Sequence, residues 1–110
     1  MEAKKFDYYL RKYKHGTRPI GNGQYITIDK HDRDVVYSCD PNGWEWHRLD
    51  GPAFIPFDKD DFVLESAWYV NDNDITDEII VWASENSIDL DNLTEVDKAL
   101  IKITWADYGK

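Results

Sequence analysis

The chain has 110 residues, 42% of them hydrophobic, and its five Trp, seven Tyr and four Phe supply enough apolar bulk for one compact domain. No apolar run reaches the roughly 18 residues of a membrane span, the start shows no signal-peptide pattern, and the single cysteine, Cys39, excludes an internal disulfide framework and fits a reducing compartment. A formal net charge of −9 argues against nucleic acid as a direct partner and against an anionic membrane surface.

The first twenty residues run against that overall charge: Lys4, Lys5, Arg11, Lys12, Lys14 and Arg18 face only Glu2 and Asp7. Within them Phe6, Tyr9, Leu10 and Tyr13 recur at i, i+3, i+4 and i+7, which predicts a short helix with one apolar face. Residues 21–74 read as β structure. Gly21-Asn22-Gly23 is turn chemistry, residues 24–28 alternate with β-branched and aromatic side chains, and residues 35–38 follow a polar connector, so the two runs predict a hairpin. Asp40-Pro41-Asn42-Gly43 stops the second strand. In strict alternation Trp44 and Trp46 would share one face. Residues 53–55 form another short strand, with Pro56 placing its end at a sheet edge or bulge. Residues 62–64 and 67–70 complete the β region, and 71–74 make the exit turn.

Residues 75–110 read as helical. Thr76 is the expected N-cap of a helix over about 77–86, with Asp77 and Glu78 in its first turn and Ile79, Trp82 and Ala83 inward. Thr94 and Asp97 approximate a capping box for a second helix. There Val96, Ala99, Leu100 and Ile103 form the expected buried stripe, widened by Ile101 and Trp105.

Chemical constellations are sparse. Cys39 lies beside Asp40, and a neighbouring negative charge raises a thiol pKa and blunts its reactivity. His15, His31 and His47 lack metal-ligand spacing. Asp72-Asn73-Asp74 opens like a calcium loop, yet Asp77 stands where glycine is required and Ala83 where the bidentate glutamate belongs. The expectation is a protein without catalytic residues, cofactor or metal. Residues 58–97 carry thirteen carboxylates against one base, Lys59. That field is either a solvated face that keeps the chain soluble or an anionic docking surface for a basic partner, with mimicry of a phosphate backbone as a sub-reading. The docking candidates are Asp58, Asp60, Asp61, Glu65, Asp72, Asp74, Asp77 and Glu78. Trp44 and Trp46 join them as anchors if their shared face is exposed, and belong to the core if helices cover it.

The segment Asn42-Gly43-Trp44-Glu45-Trp46-His47-Arg48-Leu49-Asp50-Gly51-Pro52-Ala53, followed by Trp68-Tyr69-Val70-Asn71, resembles the "N-G-x-x-H-R-x-D-G-P-A … W-Y-x-N-G" units of small tailed-bacteriophage proteins, which are loosely similar to MORN-type β-hairpin repeats. Ile75–Ile79 and Leu93–Lys98 resemble the helical tail some of those proteins carry, so the likeness covers about residues 37–108. Three residues separate Asn42-Gly43 from His47 where two are usual, and Asn71-Asp72 replaces the second Asn-Gly. The departures suggest a single degenerate unit instead of a stacked array. The resemblance implies a phage origin and the host bacterial cytoplasm, and implies no catalytic residue. Physically the motif reads as a turn: Gly51 supplies backbone freedom, Pro52 fixes φ, Asp50 closes an Asx-type turn, and Arg48 pairs with Asp50 or an acidic neighbour. A ligand site built on His47 and Arg48 is the alternative.

These observations predict an α+β domain: a small twisted antiparallel sheet covered on one face by two C-terminal helices, with a helical N-terminal segment packed alongside. The expected role is a non-enzymatic phage accessory protein, monomeric or a small homo-oligomer, that binds and inhibits or redirects a host protein with a basic surface, such as a nucleic-acid-binding protein. The alternative is a phage structural or assembly module that self-associates or binds another phage protein.

Overall fold

The computed structural model describes residues 6–110; of the basic N-terminal segment, Lys4 and Lys5 lie outside the described residues. The order is α1 (Phe6–Tyr13), β1 (Gly16–Gly21), β2 (Gln24–Asp29), β3 (Asp34–Ser38), β4 (Phe54–Pro56), β5 (Tyr69–Val70), β6 (Asn73–Asp74), α2 (Thr76–Glu85) and α3 (Glu95–Trp105). The fold is α+β, with a four-stranded antiparallel sheet in the order β1-β2-β3-β4 and a separate β5–β6 hairpin. No helix among the described residues is long and apolar enough to cross a membrane.

Local chemistry sets the turns. Asn22 (φ 54) and Gly23 (φ 74) form the two-residue connection of β1 and β2, the left-handed pair that matches strand twist in a tight hairpin. Asn71 (φ 50) and Asp72 (φ 66) do the same between β5 and β6, so residues 71–74 are a hairpin tip and its returning strand where an exit turn was expected. Both prolines of the sheet lie on edge strands, Pro19 in β1 and Pro56 at the end of β4, where a missing N–H breaks no ladder.

The sheet is covered on both faces. On one, Phe6 and Tyr9 of α1 pack with Ile26, Ile28, Val35, Tyr37, Ile55 and Phe57. On the other, the loop after β3 folds back: the Asp40 carboxylate accepts from the N–H groups of Asn42, Trp44 and Glu45, and the Trp46 indole donates to the Gly43 carbonyl. A Cβ on Gly43 (φ 74) would stand 2.8 Å from Thr27 Oγ1, which is how closely that loop lies on the sheet. Val35 through Ser38 are therefore all buried, as befits a strand covered on both sides.

The C-terminal helices build a second core. Ile75 and Ile79 at the start of α2 and Ile101 of α3 cluster with Trp68 and Val70, and Leu49, Trp82, Leu90, Leu93 and Trp105 pack around them. The main sheet thus takes its helical cover from α1, while α2 and α3 close over the β5–β6 hairpin, because that hairpin presents its own buried Val70. Two further expectations change. Thr76 is the first residue of α2, not its cap: Asp74 Oδ1 accepts from the Thr76 N–H at 2.9 Å and from its hydroxyl at 2.6 Å, while Thr76 Oγ1 accepts from Trp68 N. Residues 62–64 form no strand: a backbone bridge, Phe57 to Val63, joins them to the end of β4, and Val63 packs against the sheet's core.

Candidate functional site: an acidic cleft over an aromatic floor

Trp46 is held by hydrogen bonds to Asp72 at the β5–β6 tip, its N–H donating to Asp72 Oδ1 (3.2 Å) and its carbonyl accepting from Asp72 N (2.8 Å). So anchored, its ring stacks on Phe54 of β4 (centroids 5.1 Å apart, 6° between planes) and meets Tyr69 of β5 edge-on at 5.0 Å. The three rings floor an open cleft of about 550 Å³, and Glu65, Asp74, Asp77 and Glu78 line it together with Ser66, Ala67 and Thr76. Burial first, and after it the charges of Asp74 and Asp72, push the Tyr69 hydroxyl pKa upward. Asp77 and Glu78 occupy the first turn of α2, where the helix end offsets part of their mutual repulsion.

An aromatic face attracts a cation through its quadrupole, and carboxylates at the rim complete the neutralisation. Arginine suits such a site best, because its planar guanidinium stacks on indole and forks to carboxylates at once. A lysine side chain satisfies the charge but not the stacking.

Five of the ten candidate docking residues therefore converge here: Trp46, Glu65, Asp74, Asp77 and Glu78. The others do not line the cleft. Asp58 turns inward on its own loop, accepting from the N–H groups of Asp60 and Phe62, and Asp61 is paired with Arg33. Asp72 spends its carboxylate on Trp46 N. Trp44 does not share a face with Trp46: it is 76% exposed, because residues 42–46 are a loop pinned by Asp40 and not an alternating strand. Phe54 and Tyr69 went unpredicted. Period-2 alternation carried the signal for Phe54, since Ile55 faces α1 and its neighbour must face the other way.

The His47–Pro52 motif is a structural knot. Arg48 donates to Asp50 Oδ1 (2.8 Å) and to the Pro52 carbonyl (3.1 Å), with its guanidinium 3.8 Å from the Tyr37 ring centre. Burial pushes the Tyr37 hydroxyl up to about 12 against the opposing pull of Arg48. Gly51 is needed for contact and not for φ: a Cβ there would lie 2.7 Å from the Arg48 guanidinium carbon. His47 Nδ1 accepts from Asn71 N at 2.9 Å, which fixes the neutral tautomer with its proton on Nε2, and burial, then Lys110, lower its pKa. Cys39 has its thiol pKa raised by burial first, then by its bond to Glu45, with Asp40 a smaller cause. No group of three or more His, Cys, Asp or Glu among the described residues is placed to hold a metal.

No family model, curated protein or solved structure matches this chain.

Proposed function

We propose that the protein is a non-enzymatic docking module whose acidic cleft captures an arginine-bearing basic surface of another protein. The supporting observation is the convergence of Glu65, Asp74, Asp77 and Glu78 over the Trp46–Phe54–Tyr69 floor. The resemblance of residues 42–71 to small phage proteins suggests the setting, a phage accessory protein acting in the host cytoplasm to inhibit or redirect a host protein. A host protein that itself binds nucleic acid suits an anionic surface of this kind. The self-associating assembly module is the second reading, favoured by an apolar stripe that α3 turns to solvent.

The test is a titration with an arginine-rich peptide against its citrulline counterpart, followed at the Trp46 indole N–H by NMR. The arginine peptide shifts that resonance, the uncharged peptide does not, and the Glu65→Gln/Asp77→Asn/Glu78→Gln variant weakens binding at least tenfold, at about 1.4 kcal/mol per tenfold. All three side chains are exposed, so the variant retains its fold. An unmoved Trp46 signal, or equal binding by the variant, refutes the cleft.

A further inference from the structure

Between the turn that joins β1 to β2 and one flank of α3 lies a second cleft of about 640 Å³, within the size range of small-molecule sites. It shares no residue with the acidic cleft. Most of its polar groups are engaged within the chain. Asp50 receives Arg48, Lys98 Nζ stands 3.4 Å from Glu95 Oε1, and the Cys39 thiol donates to the Glu45 carboxylate. The Gln24 amide donates to the carbonyls of Ser38 and His47, which braces the backbone of the histidine. Two donors are left over. Lys102 lines the cleft and makes no ion pair among the described residues. His47 gives its Nδ1 to the Asn71 N–H at 2.9 Å, so its proton sits on Nε2, and that N–H has no partner among the described residues. Burial, then Lys110, lowers the His47 pKa, so the ring is neutral near pH 7. Beside these donors the cleft presents apolar surface: Leu49, which is partly buried, and Ala99 and Ile103 of α3, the last 82% exposed.

We propose that this cleft binds a small monocarboxylate with an apolar body, the carboxylate held by Lys102 and the His47 Nε2–H and the body laid along Leu49, Ala99 and Ile103. The charge balance selects the head group. With Arg48 matched to Asp50 and Lys98 to Glu95, Lys102 is the one cation of the cleft left to neutralise, and a single negative charge does so. A carboxylate offers two acceptor oxygens, one for the ammonium and one for the imidazole N–H. A dianion such as a phosphate monoester brings a second negative charge close to Glu95 and Asp50 in a chain that already carries −9, and a polyanion is repelled more strongly still. A neutral ligand leaves Lys102 without a counter-charge. The apolar wall selects the body, because covering Ile103 removes hydrocarbon from water. The knot keeps the imidazole in one tautomer and one place before any ligand arrives, so little ordering remains to be done on binding.

The probe is octanoate, titrated at pH 7.5 against octanamide, its neutral counterpart, with the His47 ring and the Ile103 methyl groups followed by NMR. Octanoate shifts both sets of signals with a dissociation constant of about 1 mM, the affinity expected of so small a ligand, and binds about threefold to tenfold more tightly than the amide. Lys102→Gln abolishes that preference while the amide binds as before. Ile103→Ser weakens both ligands about threefold. Both substituted side chains are exposed, so near-UV circular dichroism stays unchanged. His47 itself is left in place, because its Nδ1 holds the Asn71 backbone. Signals of His47 and Ile103 that stay still at about 10 mM octanoate overturn the proposal. Equal binding of acid and amide by the wild type, or a preference that survives Lys102→Gln, overturns the assignment of the carboxylate to Lys102. Tighter binding of octyl phosphate than of octanoate overturns the choice of a monoanion. The arginine titration is read at Trp46 and this one at His47 and Ile103, so either can fail without the other.

Discussion

Asp34 begins β3 directly across the ladder from Asp29, a like-charge pair at a position where cross-strand neighbours interact most strongly. Asp29 accepts from the backbone N–H groups of Asp32 and His31, which lowers its pKa and keeps it charged. Asp34 meets the cost: burial first, then Asp29 and Asp32, raises its pKa from 3.8 to about 6. A raised carboxyl pKa means the folded state binds protons more readily, so ionised Asp34 destabilises the fold above pH 6. The penalty is relieved as pH falls from about 6 to 3.8 and is absent below that. Asp34→Asn is therefore expected to raise stability at pH 7 by about 1–2 kcal/mol, less than the full shift implies because the group is partly solvated. The gain should vanish near pH 4, and urea melts at the two pH values check it. Residue-scale legibility was uneven. The Arg48–Asp50 pair could be read from the turn sequence, since the two lie two residues apart around a Gly-Pro bend. The reason for Gly51 could not, because it is the guanidinium of Arg48 lying on the glycine and not the backbone angle of the turn.

Among the elements, α3 shows what a sequence does and does not fix. Its start was legible: Thr94 Oγ1 accepts from Asp97 N at 3.1 Å, and the Asp97 carboxylate accepts from Thr94 N at 3.1 Å, a complete capping box built from local spacing alone. Its orientation was not. Apolar residues lie on both sides of the helix, so periodicity favoured the wider Val96–Ile103 stripe, while packing chose the side where Ile101 and Trp105 meet α2. β1 escaped for a related reason: Gly16–Gly21 is an exposed edge strand with a proline, and its pairing with β2 leaves no alternating pattern to read. The prediction at this scale is that Thr94→Ala costs about 1 kcal/mol by urea denaturation. Amide exchange should quicken first through the opening turn of α3, with the β2–β3 amides less affected, because the helix belongs to the second core and not to the sheet.

Over the whole molecule, two hydrophobic cores are joined by the motif that first stood out in the sequence. Arg48 N donates to the Tyr69 carbonyl, His47 Nδ1 receives Asn71 N, and the Asn71 side-chain amide donates to the carbonyls of Ala106 and Tyr108 just beyond α3. The knot thus connects the sheet, the hairpin and the C-terminal end of the chain, a structural role for its specific residues. The charge distribution remains largely uncompensated around this frame. Of the thirteen carboxylates in residues 58–97, only Asp61 and Glu95 sit in ion pairs among the described residues. Their mutual repulsion acts between exposed groups, so salt screens it at a Debye length of about 10 Å at 0.1 M. Sodium chloride raised from 10 mM to 0.5 M should then stabilise the fold by about 1 kcal/mol. The same addition should weaken the arginine-peptide complex, because there the screened interaction is attraction. A protein held together by exposed ion pairs would show the first effect with the opposite sign. The Glu65→Gln/Asp77→Asn/Glu78→Gln variant, with three fewer negative charges, should show a flatter salt dependence in both measurements. Parallel salt series of urea melts and peptide titrations distinguish a surface whose negative charge is kept for binding, at some expense to stability, from one whose charges are neutralised within the fold.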